Sequence, residues 1–172
     1  MRFGVLGPLA VWTDAGETVT IPGLKVRALL VDLLVHEGHP VSVDRLVDDL
    51  WGAEPPANPA GALQVRVSQL RKAFEDAEPG GKNLVVSRAP PATCCAPTRA
   101  PWTPCASPTC WPGPRPPTAP RTKAGLLADA LALWRGPAYA DFADEEYTRS
   151  AVHRLEEQQR LSALEQHAEG AA

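Results

Sequence analysis

Between Gly61 and Phe74 the chain reads GALQVRVSQLRKAF, and Gln64, Val65, Arg66, Ser68, Gln69, Arg71 and Lys72 put amide, hydroxyl, methyl and cationic groups into one short run. At about 100° per residue on a helix, Leu63, Val67, Leu70 and Phe74 share a narrow apolar stripe. Gln64, Ser68 and Lys72 then point the opposite way, with Val65 beside them. A face of this kind suits the major groove of DNA: a glutamine amide pairs with an adenine edge, and a valine packs on a thymine methyl. Gln64, Val65 and Ser68 are therefore the candidate base contacts. Arg66, Gln69, Arg71 and Lys72 are placed to hold phosphates, with Arg71 long enough to reach a guanine edge. Arg88, further along, is a candidate for the minor groove. Read alone, the same pattern also describes an ordinary amphipathic helix with a solvated charged face.

Other chemistry is thinly represented. His36, His39, His153 and His167 fall at helix ends or on a charged helix and read as surface residues. The pair Gly4 and Gly7 is too weak a pattern for a phosphate-binding loop. Asp48-Asp49 and Glu145-Glu146 read as solvated helix faces. Cys94, Cys95, Cys105 and Cys110 lack the paired C-x-x-C spacing of a structural zinc site and have no histidine among them. No catalytic residue, metal or cofactor is expected, and the chain is read as a non-enzyme.

The elements that would position the candidate helix are legible on both sides of it. Phe3 to Trp12 and Thr18 to Ile21, with Asp14-Ala15-Gly16 between, read as a small antiparallel sheet of three short strands. Val26, Leu29, Leu30, Leu33 and Leu34 recur at helical spacing from Leu24 to His36, with Gly38 as a stop. Ser42 is a candidate N-cap for a shorter helix carrying Leu46, Val47, Leu50 and Trp51 and ended by Gly52. Asn58 and Pro59 would cap and open the Gly61 to Phe74 helix, which continues to about Ala77. Pro79-Gly80-Gly81 turns the chain into a strand starting at Leu84. A short sheet, three helices and a hairpin arm is the order of a winged helix whose third helix enters the major groove.

Here a family resemblance becomes specific. VSVDRLVDDLWG, the Pro55-Pro56 pair and ALQVRVSQLRKAF, together with RFGVLGPLAVW and GLKVRALLVDLLVHEG, resemble the DNA-binding domain of the Streptomyces antibiotic regulatory protein (SARP) family over nearly all of Met1 to Arg88. That domain is similar to the winged helix of OmpR-type response regulators, but the resemblance implies no phosphoacceptor domain here. It implies double-stranded DNA as partner, bound as direct repeats upstream of secondary-metabolite genes, and RNA polymerase as the machinery recruited. A homodimer on DNA is the assembly such repeats allow. Lys123 to Arg135 and a long helix from about Asp144 to Glu169 resemble the first repeats of the family's tetratricopeptide-like bacterial transcriptional activation domain (BTAD). Stacked helix pairs of that kind commonly need three or more repeats.

Between these parts the composition changes abruptly. All four cysteines, eleven of nineteen prolines and two of five tryptophans lie between Arg88 and Arg121, and no Asp or Glu occurs from Pro79 to Ala128. A proline-rich linker is the ordinary reading. The genetic code offers another: in a shifted frame, where each codon takes the third base of one codon and the first two of the next, several residues are forced. Cys94-Cys95 must give Leu, Trp102-Thr103 Asp, Cys110-Trp111 Leu, and Trp111-Pro112 Ala. With unconstrained third bases chosen to suit the family, the segment reads APGYLLRADPGAVDAVRFADLLARA, a returning hairpin arm followed by an amphipathic helix. Two compensating shifts, near Arg88 to Pro91 and near Pro116 to Arg121, would explain the segment. As written, the chain is expected to lack the second wing strand and the first activation-domain helix.

The expectation is an α+β winged helix-turn-helix over residues 1–88, an aberrant, disordered segment over 89–121, and a truncated all-α helical domain over 122–172. Net charge is -3, so any DNA-binding surface must be a local concentration of positive charge. No apolar run approaches the roughly 20 residues of a membrane span, and no signal peptide opens the chain, so a cytoplasmic location is expected. The function expected is sequence-specific DNA-binding transcriptional activation, damaged or truncated. The alternative is a helical protein-interaction module with the winged helix as scaffold.

Overall fold

The computed structural model describes residues 1–87, 95–97 and 123–170. Strand β1 (Arg2–Gly4) pairs antiparallel with β2 (Ala10–Trp12) in the register Arg2↔Trp12, Phe3↔Val11 and Gly4↔Ala10. The expected third strand is reduced to one bridge between Trp12 and Thr18, with Val19 N–H on Val11 C=O at 2.8 Å. Pro22, which has no N–H, follows too closely for a longer ladder.

Helix α1 (Leu24–Val35) is the centre of the molecule. Its sequence suggested an amphipathic helix, yet every residue from Ala28 to Leu34 is buried, Asp32 included. The difference has a packing cause: α2 (Val43–Trp51) and α3 (Pro59–Ala77) pack against α1, and so does α5 (Glu146–Gly170), so little of its circumference meets water. The caps form as expected. Ser42 Oγ accepts from Arg45 N–H at 3.3 Å, and Asn58 Oδ1 accepts from Gly61 N–H at 3.0 Å.

On α3 the stripe of Leu63, Val67, Leu70 and Phe74 is buried, and Phe74 meets Phe3 of β1 edge-on at 5.8 Å between ring centres. The chain leaves α3 through a turn held by Glu75, whose Oε2 accepts from Gly80 N–H at 3.0 Å and Lys82 N–H at 3.3 Å. Gly80 takes the left-handed conformation (φ 87°), and a Cβ on Gly81 would stand 2.4 Å from Phe74 O, so both glycines are required. The turn carries on as a 3₁₀ segment through Leu84, one residue into the expected strand, and β3 is Val85–Ser87.

The expected absence of a second wing strand is corrected. Strand β4 (Cys95–Pro97) pairs antiparallel with β3 in the register Val85↔Pro97, Val86↔Ala96 and Ser87↔Cys95. A ladder is built from backbone N–H and C=O groups, so even a segment without alternating apolar residues can supply a short arm. The remainder of 88–122 lies outside the described residues, and with it Arg88.

Helix α4 (Lys123–Leu131) stops earlier than the expected Arg135. Its last turn tightens, with Leu133 N–H on Ala130 C=O and Trp134 N–H on Leu131 C=O. The backbone then leaves for the first sheet: Arg135 N–H donates to Leu6 C=O at 2.8 Å, Tyr139 N–H to Val5 C=O at 2.8 Å and Ala140 N–H to Gly7 C=O at 3.2 Å. Helix α5 follows antiparallel to α4, with Lys123 Nζ and Glu165 Oε2 3.3 Å apart. Ala138, Tyr139, Phe142, Tyr147, Ala151 and Leu155 join the same apolar cluster as α1 and the N-terminal sheet. The helical segment is thus fused to the winged helix through a shared core.

Candidate nucleic-acid interface

Burial of the Leu63 stripe fixes the rotation of α3, and that rotation decides what the other side presents. Gln64, Val65, Ser68, Gln69 and Lys72 together line a shallow depression on the outer surface of the helix. All five are exposed, and Val65 keeps 52% of its surface in water, a large apolar side chain without a covering partner among the described residues. Gln64, Ser68 and Lys72 make no side-chain hydrogen bond to the described residues, so their donors and acceptors are turned to solvent. α3 carries no carboxylate before Glu75, which leaves its first four turns positive.

The two flanking arginines are held differently from a free cation. Arg66 is half-buried, and its Nη1 donates to Gln69 Oε1 at 2.9 Å, one helical turn on. Its Nε is buried without a hydrogen-bond partner, so the guanidinium is fixed along the helix surface instead of swinging in solvent. Arg71 is also half-buried, and its Nε donates to Val85 C=O of β3 at 2.9 Å. The sequence reading placed Arg71 to hold phosphate; the structure commits one of its donors to the wing. This bond links α3 to the hairpin beside it. The signal for it was absent from the helix pattern, because Val85 lies across the Gly80-Gly81 turn.

The same turn carries local electrostatics. The Lys82 ammonium, 3.2 Å from Glu75 Oε1, together with the backbone N–H groups of Lys82 and Gly80, holds the Glu75 carboxyl below the usual carboxylate range. A charged Glu75 keeps the wing turn closed over the end of α3. Of the eight residues expected to touch DNA, seven share α3 and five share one depression, while Arg88 is outside the described residues. Cys94, Cys105 and Cys110 are outside them as well. No helix of the described residues is long and apolar enough to cross a membrane.

Comparison with known proteins bears on the family and the fold. Residues 18–89 match the family model "Transcriptional regulatory protein, C terminal", and residues 116–172 match "Bacterial transcriptional activator domain". The regulatory protein AfsR of Streptomyces coelicolor is 44% identical over 75 residues, 44% of this chain and 8% of AfsR. The transcriptional regulator RedD of the same organism is 32% identical over an alignment that takes in 96% of this chain and 47% of RedD. Among solved structures, Mycobacterium tuberculosis EmbR, in complex with a low-affinity phosphopeptide, superimposes with a TM-score of 0.69 at 25% identity, covering 94% of this chain and 43% of the EmbR chain. The chain therefore spans about half or less of the length of these relatives. With an OmpR-type DNA-binding part and a bacterial transcriptional activator part matched in order, and one relative's fold reproduced across both, this chain belongs to the SARP family of regulators.

Proposed function

We propose that the chain is a sequence-specific DNA-binding transcriptional activator that inserts α3 into the major groove of promoter repeats. The observation that carries this reading is the single exposed face on which Gln64, Val65, Ser68, Gln69 and Lys72 converge, opposite the buried stripe. Gln64, Val65 and Ser68 read base edges. Arg66, Gln69 and Lys72 hold phosphates, and Arg71 divides its guanidinium between β3 and the backbone of the DNA. Arg88 enters the minor groove from the wing. The helical segment acts on the transcription machinery, RNA polymerase included, and the protein works in the cytoplasm as a dimer on repeated half-sites. Gel shifts against promoter fragments test it: binding should fall steeply with salt, and Lys72→Ala should reduce the slope of log K against log salt by about one. Salt-independent binding, or an unchanged slope, would reject α3 as the reader.

The two matched regions leave residues 90–115 between them, inside the Cys- and Pro-rich segment. This spacing supports a shifted reading frame there. Nucleotide sequencing across Arg88 to Arg121 decides the matter: a shifted frame that does not encode GYLL-like and VDAVRF-like peptides removes the idea.

A further inference from the structure

Where α1, α2 and α5 meet, buried polar groups are crowded together and poorly answered. Asp32 of α1 is fully buried, yet neither of its carboxylate oxygens has a good hydrogen bond among the described residues. Asp49 Oδ2 of α2 and the Tyr147 hydroxyl of α5 are buried in the same way, the hydroxyl beneath the groove that Asp48, Glu145 and Glu146 line. A carboxylate sealed from water is costly unless a cation stands beside it. His36, one helical turn after Asp32, can supply one: its Nδ1 lies 2.8 Å from Asp32 O and 3.1 Å from Asp32 Oδ1.

The neighbouring charges do not replace it. Arg45 of α2 turns its Nε to Asp49 at 3.4 Å and keeps 58% of its side chain in water. Arg154 of α5 is paired with Glu37, and His39 Nδ1 lies 2.9 Å from His36 O. Glu145 adds negative charge beside Tyr147: burial, and then Glu145, Asp32 and Asp49, push the phenol's pKa up. The backbone is strained at the same point. Glu37, the residue after His36, takes a left-handed φ of 51° without being glycine, and the side chain that holds it is Arg154. Thus α5 packs on α1 and also clamps the turn that follows His36.

We propose that His36 is a proton-operated latch that holds the start of α5 on the winged helix. Protonated, the imidazole neutralises Asp32, and α5 closes over the pair. Deprotonated, the ring still donates a hydrogen bond but no longer offsets Asp32 and Asp49, which then repel each other in a low-dielectric interior. The first turns of α5 open locally and admit water, while Phe142 and Leu155 stay in the shared core. The Asp32 side chain, against the opposing pull of burial and Arg45, holds the imidazole above its ordinary 6.5. A raised group contributes fully below its unfolded pKa, and the contribution is lost as pH rises through the folded value, so the latch releases on the alkaline side. Asp49, raised by burial and then by Asp32, acts in the same sense at lower pH.

Amide hydrogen exchange of the full chain without DNA, at about pH 5.5 and about pH 8.5 and corrected for the intrinsic rate, tests this directly. Protection from Thr148 to Val152 should be about tenfold lower at the higher pH. Exchange there should be nearly independent of low urea concentrations, the mark of a local opening. Asp32→Asn, which removes the buried charge and keeps its shape, should hold the protection high at both pH values. His36→Gln, which keeps a donor without the charge, should lower it at both. Equal protection of the unaltered chain at the two pH values, exchange that tracks urea as global unfolding does, or a pH dependence undiminished in His36→Gln would each overturn the proposal.

Discussion

The outer face of α3 and the seam between α1 and α5 are built on opposite principles. On α3, polar side chains at 64, 68 and 72 are left without partners among the described residues, and Val65 stands in water. At the seam, hydrogen-bonding groups are taken up across more than a hundred residues of sequence: Arg135, Tyr139 and Ala140 donate backbone N–H groups to the loop after β1, and Asp141 accepts from both Leu9 N–H and Arg27. Arg135 also lies over Trp12 at 5.2 Å, and Arg154 pairs with Glu37. Bonds made between distant segments carry stability, even though the Tyr147 hydroxyl at the seam has no hydrogen-bond partner; a face that leaves its groups open has them free for a partner. The helical segment is therefore part of what holds the winged helix together, while the outer face of α3 contributes little to folding.

That contrast can be broken most forcefully at the seam. Phe142, 5% exposed between α1 and α5, should cost about 3–5 kcal/mol on replacement by alanine, and one cooperative denaturant transition should shift as a whole. A transition that splits, with the winged helix unaffected, would mean two independent units. Next in size, Gln64→Ala should leave the denaturation midpoint in place while removing about 1–3 kcal/mol of discrimination at one base position in binding assays. A stability loss there comparable to Phe142→Ala would erase the distinction. Arg27→Ala, which breaks a half-exposed ion pair with Asp141, should lower stability by about 1 kcal/mol or less, measured by the same unfolding titration.

The smallest effect is expected from pH. The hydrogen bond to Asp32 holds the His36 imidazole above its ordinary 6.5, and burial raises Asp49 above its ordinary 3.8. For both groups the protonated form is favoured by folding, so their contribution is complete below the unfolded pKa and is lost as pH rises through the folded value. Asp14, beside the chain's N-terminal ammonium, and Glu75 are lowered and act in the opposite sense, but both are largely exposed. Tm should therefore decline from mildly acidic to mildly basic pH, and His36→Gln should flatten the part of that decline around the imidazole range. A Tm that rises with pH in this range would contradict the seam's electrostatics.

The local elements were legible because their signals are local. Ser42 and Asn58 cap the helices their spacing predicted, and the 3.6-residue stripe from Leu63 to Phe74 set the side of α3 that faces the core. The candidate readers followed from that stripe by geometry alone, and they meet on one surface. Less visible was anything that depended on a distant partner. The third N-terminal strand shrank to a bridge, α4 ended early because its backbone turned to the first sheet, and Cys95–Pro97 paired with β3 despite a composition that suggested no strand.

What the sequence determined by itself is the helix order, the caps and the two faces of α3, since periodicity and capping act within one or two turns of chain. Only the tertiary structure decided that α1 is buried almost all round, that Arg71 bonds across a turn to Val85, and that Tyr147 closes beneath a groove of carboxylates. Each of these depends on which surfaces meet. Long-range pairing is fixed by the apolar area and hydrogen bonds that distant segments gain together, and no single stretch of sequence carries that sum.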